Sequence, residues 1–438
     1  MRTEIETRAR PGLVLGLACA AQAMVGLDTA IVNVAVPSIQ RELGVDAGVV
    51  QWVVVAYGLL LGGFLLVGGR MTDQVGRRRV FLAGVVVFTV ASFVAGAAPH
   101  VGLLIAARGV QGFGAALIAP AALSLLAVTF PDGRERVRAL GIFGAIGGVA
   151  GSFGVVVGGL LAAGPGWRWS FFLNVPVGVV FVVIALTFLV PDPPRDRDTR
   201  LDLRGATVVT GGLLLLVYSL HHGSVLTWVA ALGLLGLFAW IEARSAHPLV
   251  PLSAWRNRAL APAFLTFCAL LGFIFLGSLL MQQELGYSPA TTGVAWLATT
   301  ATIFVAAMGG ARLAARVPVR ALLVTGLTLT VVAALWLTRA TPDSAYVTGL
   351  LPAFLLAGVG FGLCGPAIQI SALTGVSRSE AGLVSGLVET MREVGGAAGV
   401  ALVATVLVSG SGFPWAFGLV AAVAALGVLT TVLGRTSS

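Results

Sequence analysis

Apolar positions along the 438-residue chain do not form the one-sided stripes of soluble helices; they form long, nearly unbroken runs. Runs of this length predict membrane-spanning helices. They fall near residues 13–36, 49–69, 80–98, 101–127, 138–162, 169–190, 205–221, 225–243, 259–281, 292–314, 319–338, 346–372, 381–409 and 413–433, fourteen in all. Polar positions gather in the short breaks between them. The most polar break in the first hundred and thirty residues, beyond the N-terminal tail, is Gly68–Arg79, GGRMTDQVGRRR. A loop of this kind cannot lie in hydrocarbon, so it marks a membrane surface.

Composition agrees: 58% of residues are hydrophobic and only 10% are charged. The net charge of +9 does not point to nucleic acid, because the basic residues sit in short loops between apolar runs and act there as an orientation signal. All 27 basic residues are arginine. A phosphate-cradling Walker A loop, which needs lysine, is therefore excluded. Arg41, Arg168 and Arg339 fall on one side of the membrane, Arg108 and Arg392 lie inside spans, and the other twenty-two of the 27 fall on the opposite side. That bias predicts an even number of spans with both termini cytoplasmic. Cys19, Cys268 and Cys364 all lie in apolar runs, which indicates neither a disulfide nor a metal framework. Ala18-Cys19-Ala20 looks like a signal-peptidase site, but the apolar run continues to Val36, too long for a signal peptide. Gly360-Phe-Gly-Leu-Cys-Gly365 matches a dinucleotide fingerprint only in letters, since no strand precedes it.

Ionisable residues inside spans are functional candidates, because each costs about 2.5–3.5 kcal/mol to insert. Span 1 carries Asp28 and Asn33, span 2 Tyr57, span 4 Arg108 and Gln111, and span 13 Glu389, Arg392 and Glu393. At about 1.5 Å rise per residue, Asp28 and Tyr57 lie about 12 Å and Arg108 about 10 Å below the outer surface, which permits a cluster near the midplane. Spacings of three and four put Glu389, Arg392 and Glu393 on one helix face, as a local ion network or as a second proton or substrate site. Span 5 is dense in glycine, including Gly154, Gly158 and Gly159, and small residues at this spacing let helices approach closely.

The opening loop, G-x-x-x-D-x-x-G-R-R-R from Gly69, resembles the loop between spans 2 and 3 of the major facilitator superfamily of secondary transporters. Gly154-Val-Val-Val-Gly158-Gly159 resembles the antiporter motif of its proton-driven exporters, with Val155 where proline is usual. Trp167-Arg168-Trp169 with Phe172–Gly178, Asp202-Leu203-Arg204-Gly205, Glu242–Leu249, Gly286-Tyr-Ser-Pro289 and Gly382–Gly399 extend the likeness to the 14-span drug/proton antiporters. Gly310–Arg320 echoes the opening loop at an offset of 242 residues from Met71 to Leu313, with Ala315 in place of Asp73 and Pro318 in place of Gly76.

The resemblance implies an all-α integral membrane protein of two six-helix bundles with two extra central helices. The expected divisions are 1–190, a linker and extra pair at 191–258, and 259–438. It implies a transporter and not an enzyme, in the bacterial cytoplasmic membrane, exchanging protons for amphipathic or cationic drug-like molecules by alternating access. No cofactor and no metal are expected, and a monomer is. A narrow-specificity exporter of one self-made antibiotic and a non-transporting membrane sensor are the alternatives. Proton coupling is expected at Asp28, Arg108, Glu389 and Glu393. A substrate cavity is expected at Asn33, Tyr57, Gln111 and Arg392, and gates at Gly69, Asp73, Gly76, Arg77, Gly154, Gly158 and Gly159.

Overall fold

The structure, a computed structural model, describes residues 11–130, 133–192, 203–222, 224–245, 250, 252–255, 257–314, 316–377, 380–410 and 412–433. Among these, fourteen helices of fifteen residues or more follow in order. They are α1 (Pro11–Leu43), α2 (Trp52–Val75), α3 (Arg77–Gly96), α4 (Val101–Thr129), α5 (Arg134–Ala163), α6 (Asn174–Phe188), α7 (Leu203–His222), α8 (Val225–Arg244), α9 (Leu260–Leu279), α10 (Pro289–Leu313), α11 (Val319–Leu337), α12 (Leu351–Leu373), α13 (Ala381–Val408) and α14 (Gly412–Leu433). Twelve stretches are long and apolar enough to cross a membrane over their described residues. The 30-residue α5 and 20-residue α7 complete the set. The ends of two expected spans move well outward: α1 does not stop at Val36 but continues through Pro37 to Leu43, and α2 does not stop at 69 but runs to Val75, so the stretch Gly68–Arg79 expected as a loop is helical on both sides of a sharp turn at Gly76. Arg41 Nε donates to the Pro37 carbonyl at 3.2 Å in the added turn of α1.

The first six helices form one bundle, with α1 on α5, α4 on α2 and α3, and α6 on α3. The last six form a second, with α9 on α13 and α14, and α12 on α10 and α11. The extra pair α7 and α8 pack on each other, and α7 lies against α2. Leu214 of α7 covers Gly63, and Tyr218 stacks on Trp52 with ring centroids 6.0 Å apart. Much of α8 stays exposed, including Val229, Leu232 and Trp240, as a helix facing lipid would be.

The buried core is continuous at one end of the molecule and divided at the other. One apolar cluster joins both bundles at the arginine-rich end, running from Leu65, Leu117 and Phe143 to Leu363, Ala372 and Leu387. Toward the opposite end the core splits. Val32, Ile39, Val53, Leu104 and Phe171 form a cluster of the first bundle alone, and Phe273, Leu337, Phe354 and Phe417 one of the second. The bundles are thus sealed together at the arginine-rich end.

Candidate functional site

The buried charges sit where the bundles are otherwise apolar. Asp28 of α1 and Arg108 of α4 are both 0% exposed. Arg108 Nη1 donates to Asp28 Oδ2 at 2.6 Å, and Arg108 Nε to the Val53 carbonyl of α2 at 2.9 Å. Asp28 Oδ1 accepts from Gln111 Nε2 and from Asn174 Nδ2 of α6, each at 2.8 Å. Gln111 in turn accepts from Arg108 at 2.8 Å and donates to Ser92 Oγ of α3 at 2.8 Å. The Arg108 guanidinium lies 4.1 Å from the Tyr57 ring centre. Charge is affordable here because both ions are paired and hydrogen-bonded. The network ties five of the first six helices together. Gly154 and Gly158 of α5 add the sixth: an added Cβ would meet Ala30 Cβ at 2.6 Å and Ile31 Cα at 2.9 Å, so α5 rests directly on the stretch of α1 that carries Asp28.

The second bundle carries its own pair within α13. Arg392 Nη1 donates to both oxygens of Glu389, at 2.6 and 2.8 Å, and lies over Phe267 with its guanidinium carbon 4.3 Å from the ring centre. Gln369 Nε2 of α12 also donates to Glu389, at 3.1 Å. Arg392 faces a small space of about 40 Å³ lined by Gly144, Thr266, Leu270, Phe361 and Gln369, room for about one water. Glu393 is exposed and makes no hydrogen bond or ion pair among the described residues.

At the arginine-rich end α2 crosses α13. Asp73 accepts from the backbone N–H of Gly382 at 2.9 Å and of Leu383 at 2.8 Å, so its carboxylate caps the positive N-terminal end of α13. Arg77 approaches it at 3.8 Å and also donates to Ser124 of α4 at 3.0 Å. Glycines permit the crossing: a Cβ on Gly69 would lie 2.5 Å from the Gly382 carbonyl, and one on Gly386 2.6 Å from the Leu65 carbonyl. Gly76, at φ +118°, turns the chain between α2 and α3 in a conformation that only glycine adopts easily. Asp192, beyond α6, seals that turn by accepting from the N–H groups of Arg78 at 3.1 Å and Arg79 at 2.9 Å.

The sequence profile of the Major Facilitator Superfamily matches residues 18–400. The chain belongs to that superfamily. Its curated relatives in the superfamily include the puromycin resistance protein pur8 of Streptomyces alboniger, 39% identical over 90% of this chain and 81% of that one. The cephamycin export protein CmcT of Amycolatopsis lactamdurans is 37% identical over 94% of this chain and 88% of its own length. The multidrug resistance protein Stp of Mycobacterium tuberculosis is 34% identical over 88% and 73%. Among solved structures, the human organic anion transporter MFSD10 superposes with a TM-score of 0.71 at 18% identity, covering 98% of this chain and 100% of that one. At that identity the likeness shows the fold alone.

In this superfamily member the structure brings Asp28, Arg108 and Tyr57 into one cluster. It also places Glu389 with Arg392 and leaves Glu393 apart. Two of the expected cavity residues are buried in this structure. Gln111 is 0% exposed and Tyr57 1% exposed; both are consumed by the Asp28–Arg108 pair and present no surface to a cavity. Asn33 is exposed, its amide turned back to the Thr29 carbonyl at 2.9 Å. Gly154 and Gly158 pack within the first bundle, not between bundles, and the surroundings of Gly159 lie outside the described residues, as do Ala315, Asp202 and both termini. Asn174, Ser92 and Asp192 are participants that sequence reasoning did not single out. Asn174 carried a signal, as an amide one turn into the apolar sixth run.

Proposed function

We propose that this chain exports amphipathic or cationic drug-like molecules in exchange for protons, by alternating access between its two bundles. What carries the reading is the Asp28–Arg108 pair, buried inside the first bundle of a chain whose relatives are named for antibiotic resistance and export. Three side chains donate to the Asp28 carboxylate, and all three donors are amide NH₂ or guanidinium N–H groups that cannot accept in return. A proton added to Oδ1, which already accepts two bonds, obliges a donor to withdraw, and a proton on either oxygen removes the charge that holds Arg108. Arg108 would then be left as an uncompensated buried charge, which favours rearrangement of α1 against α4. A proton thus converts into helix movement without ATP. Arg392, which faces a small space beside Gly144 of the first bundle, its partner Glu389 and the unpaired Glu393 are the groups that this reading assigns to a cationic substrate. With the arginine-rich end cytoplasmic, the continuous apolar core at that end supports reading this arrangement as the outward-facing state.

A panel of growth-inhibition measurements in a host lacking its own efflux pumps tests this, followed by proton movement in everted vesicles on adding each protected compound. Protection without proton movement removes the coupling; no protection by any drug-like compound removes the export reading. Protection against a single compound would favour the alternative, a narrow-specificity exporter; relatives named for puromycin and cephamycin stand beside one named for multidrug resistance.

A further inference from the structure

The junction of α5 with α10 is the counterpart, in the repeat, of the junction of α2 with α13. Gly141 meets Ala311 there as Gly69 meets Gly382 on the other side. The chemistry differs. At α2–α13 the Asp73 carboxylate neutralises the helix end and an arginine. The echo of that position is Ala315, which supplies no charge, while Arg312 and Arg316 keep theirs. The structure opens a recess of about 610 Å³ at this junction, lined by Arg134, Arg138, Arg312 and Arg316 above Ile142, Met308 and Leu313. That volume is within the roughly 300–1,000 Å³ usual for small-molecule pockets.

Four guanidinium groups share the recess, and no carboxylate among the described residues lines it. None of the four makes a hydrogen bond or ion pair among those residues. They come from two sides: Arg134 and Arg138 are one turn apart on α5, Arg312 lies in the last turn of α10, and Arg316 follows in the turn beyond that helix. Like charges so arranged repel, so the recess is built for an anion. The rows also continue into apolar surface. Ile142 follows Arg138 by one turn on α5, and Met308 and the exposed Phe304 precede Arg312 by one and two turns on α10. Arg136, two residues from Arg134 and so on the other side of α5, is buried and donates to the Leu373 carbonyl of α12 at 3.1 Å. The Arg134–Arg138 row therefore points away from the buried contact of α5 with α12 and into the exposed recess beside α10.

We infer that this recess binds the phosphate of an anionic phospholipid, with the acyl chains following the strip from Met308 to Phe304. The bound phosphate supplies the negative charge that Ala315 lacks. It bridges arginines of both bundles, so it latches the arginine-rich end closed beside the Asp73 latch. Planar guanidinium groups suit a phosphate ester in particular, since each can present two parallel N–H donors.

The test uses the full-length protein purified in mild detergent, with lipid retention read by native mass spectrometry. Wild type is expected to keep phosphatidylglycerol in preference to phosphatidylethanolamine. Arg138→Gln with Arg312→Gln should weaken that retention about fivefold per arginine removed, roughly twenty-five-fold together. Arg138→Lys with Arg312→Lys should keep most of it, and Arg339→Gln, at the other end of the molecule, should change nothing. The four arginines are exposed, so these variants should fold; equal retention by wild type and the double glutamine variant overturns the site. Millimolar inorganic phosphate is the second arm. Complete displacement of phosphatidylglycerol by phosphate would make a soluble phosphate compound the occupant and overturn the lipid assignment; retained lipid supports it.

Discussion

Asp28 is the residue on which the first bundle is assembled, and its worth can be stated as a difference. Asp28→Asn keeps the size of the side chain and removes its charge, leaving Arg108 buried beside Tyr57 without a counter-ion. Breaking such a pair costs about 3–5 kcal/mol. Drug-driven proton movement in everted vesicles should fall to background, with a reduced level of folded protein. Adding Arg108→Gln removes the stranded charge, so the double variant should recover protein level but not coupling. Unchanged proton movement in Asp28→Asn would shift the role to Glu389 or Glu393. At this scale the sequence was legible where a charge interrupts an apolar run: Asp28, Arg108, Glu389 and Arg392 all announced themselves that way. It was less legible for neutral partners. Gln111 and Asn174 look alike as polar residues in a span, and only the fold decides that both turn to Asp28 rather than to a cavity. Asp192 was hidden for another reason: an acid in a polar linker gives no hint that the N-terminus of α3 lies beside it.

Glycine decides which helices can touch. The α5 row could be read from spacing, because glycines three and four apart make one flat strip. Spacing could not say which neighbour the strip faces. The structure gives α1, with Gly158 resting on Ile31 and Val34. Gly158→Leu should therefore push α1 and its Asp28 away from α4, at about 1–3 kcal/mol for overpacking. The expected result is lower thermal stability in detergent together with loss of coupled transport. Gly236→Leu is the matched control, since a side chain there on α8 meets nothing within 4 Å and should leave both unchanged. Wild-type stability in Gly158→Leu would mean that α1 and α5 are not in close contact. Element ends were less legible than element middles. The first apolar run ends at Val36, but the helix carries on through Pro37 to Leu43, and the Arg41 contact to the Pro37 carbonyl lies in that added stretch.

For the whole molecule the legible quantity was charge asymmetry, which requires no contact map. With twenty-two of 27 arginines on one side, both termini are expected in the cytoplasm. A phosphatase reporter fused after Ser438 should be inactive and a cytoplasmic fluorescent reporter active; the reverse pattern ends the fourteen-span arrangement. What the sequence could not reveal is which end is closed, since that depends on two bundles meeting. The Asp73 contact with α13 is the part of that closure open to a direct test. Its side chain is only 3% exposed, and it makes two charge-assisted bonds to backbone N–H groups across the bundle boundary. A hydrogen bond to a charged group contributes about 1.5–3 kcal/mol. If most of that is lost when the ends part, Asp73→Asn should shift the balance of closed and open states by about ten- to a hundredfold. Spin labels at Gln74 and Ser377 report the separation of α2 from the approach to α13, and the three native cysteines are buried away from label. Wild type should give one narrow distance distribution and Asp73→Asn a second, longer population, with substrate binding unchanged because the groups proposed to meet substrate, Glu389 and Arg392, are untouched. Identical distributions would leave Asp73 as a helix cap with no part in the gate, and the closed end would then rest on the glycine crossing and the shared apolar core alone.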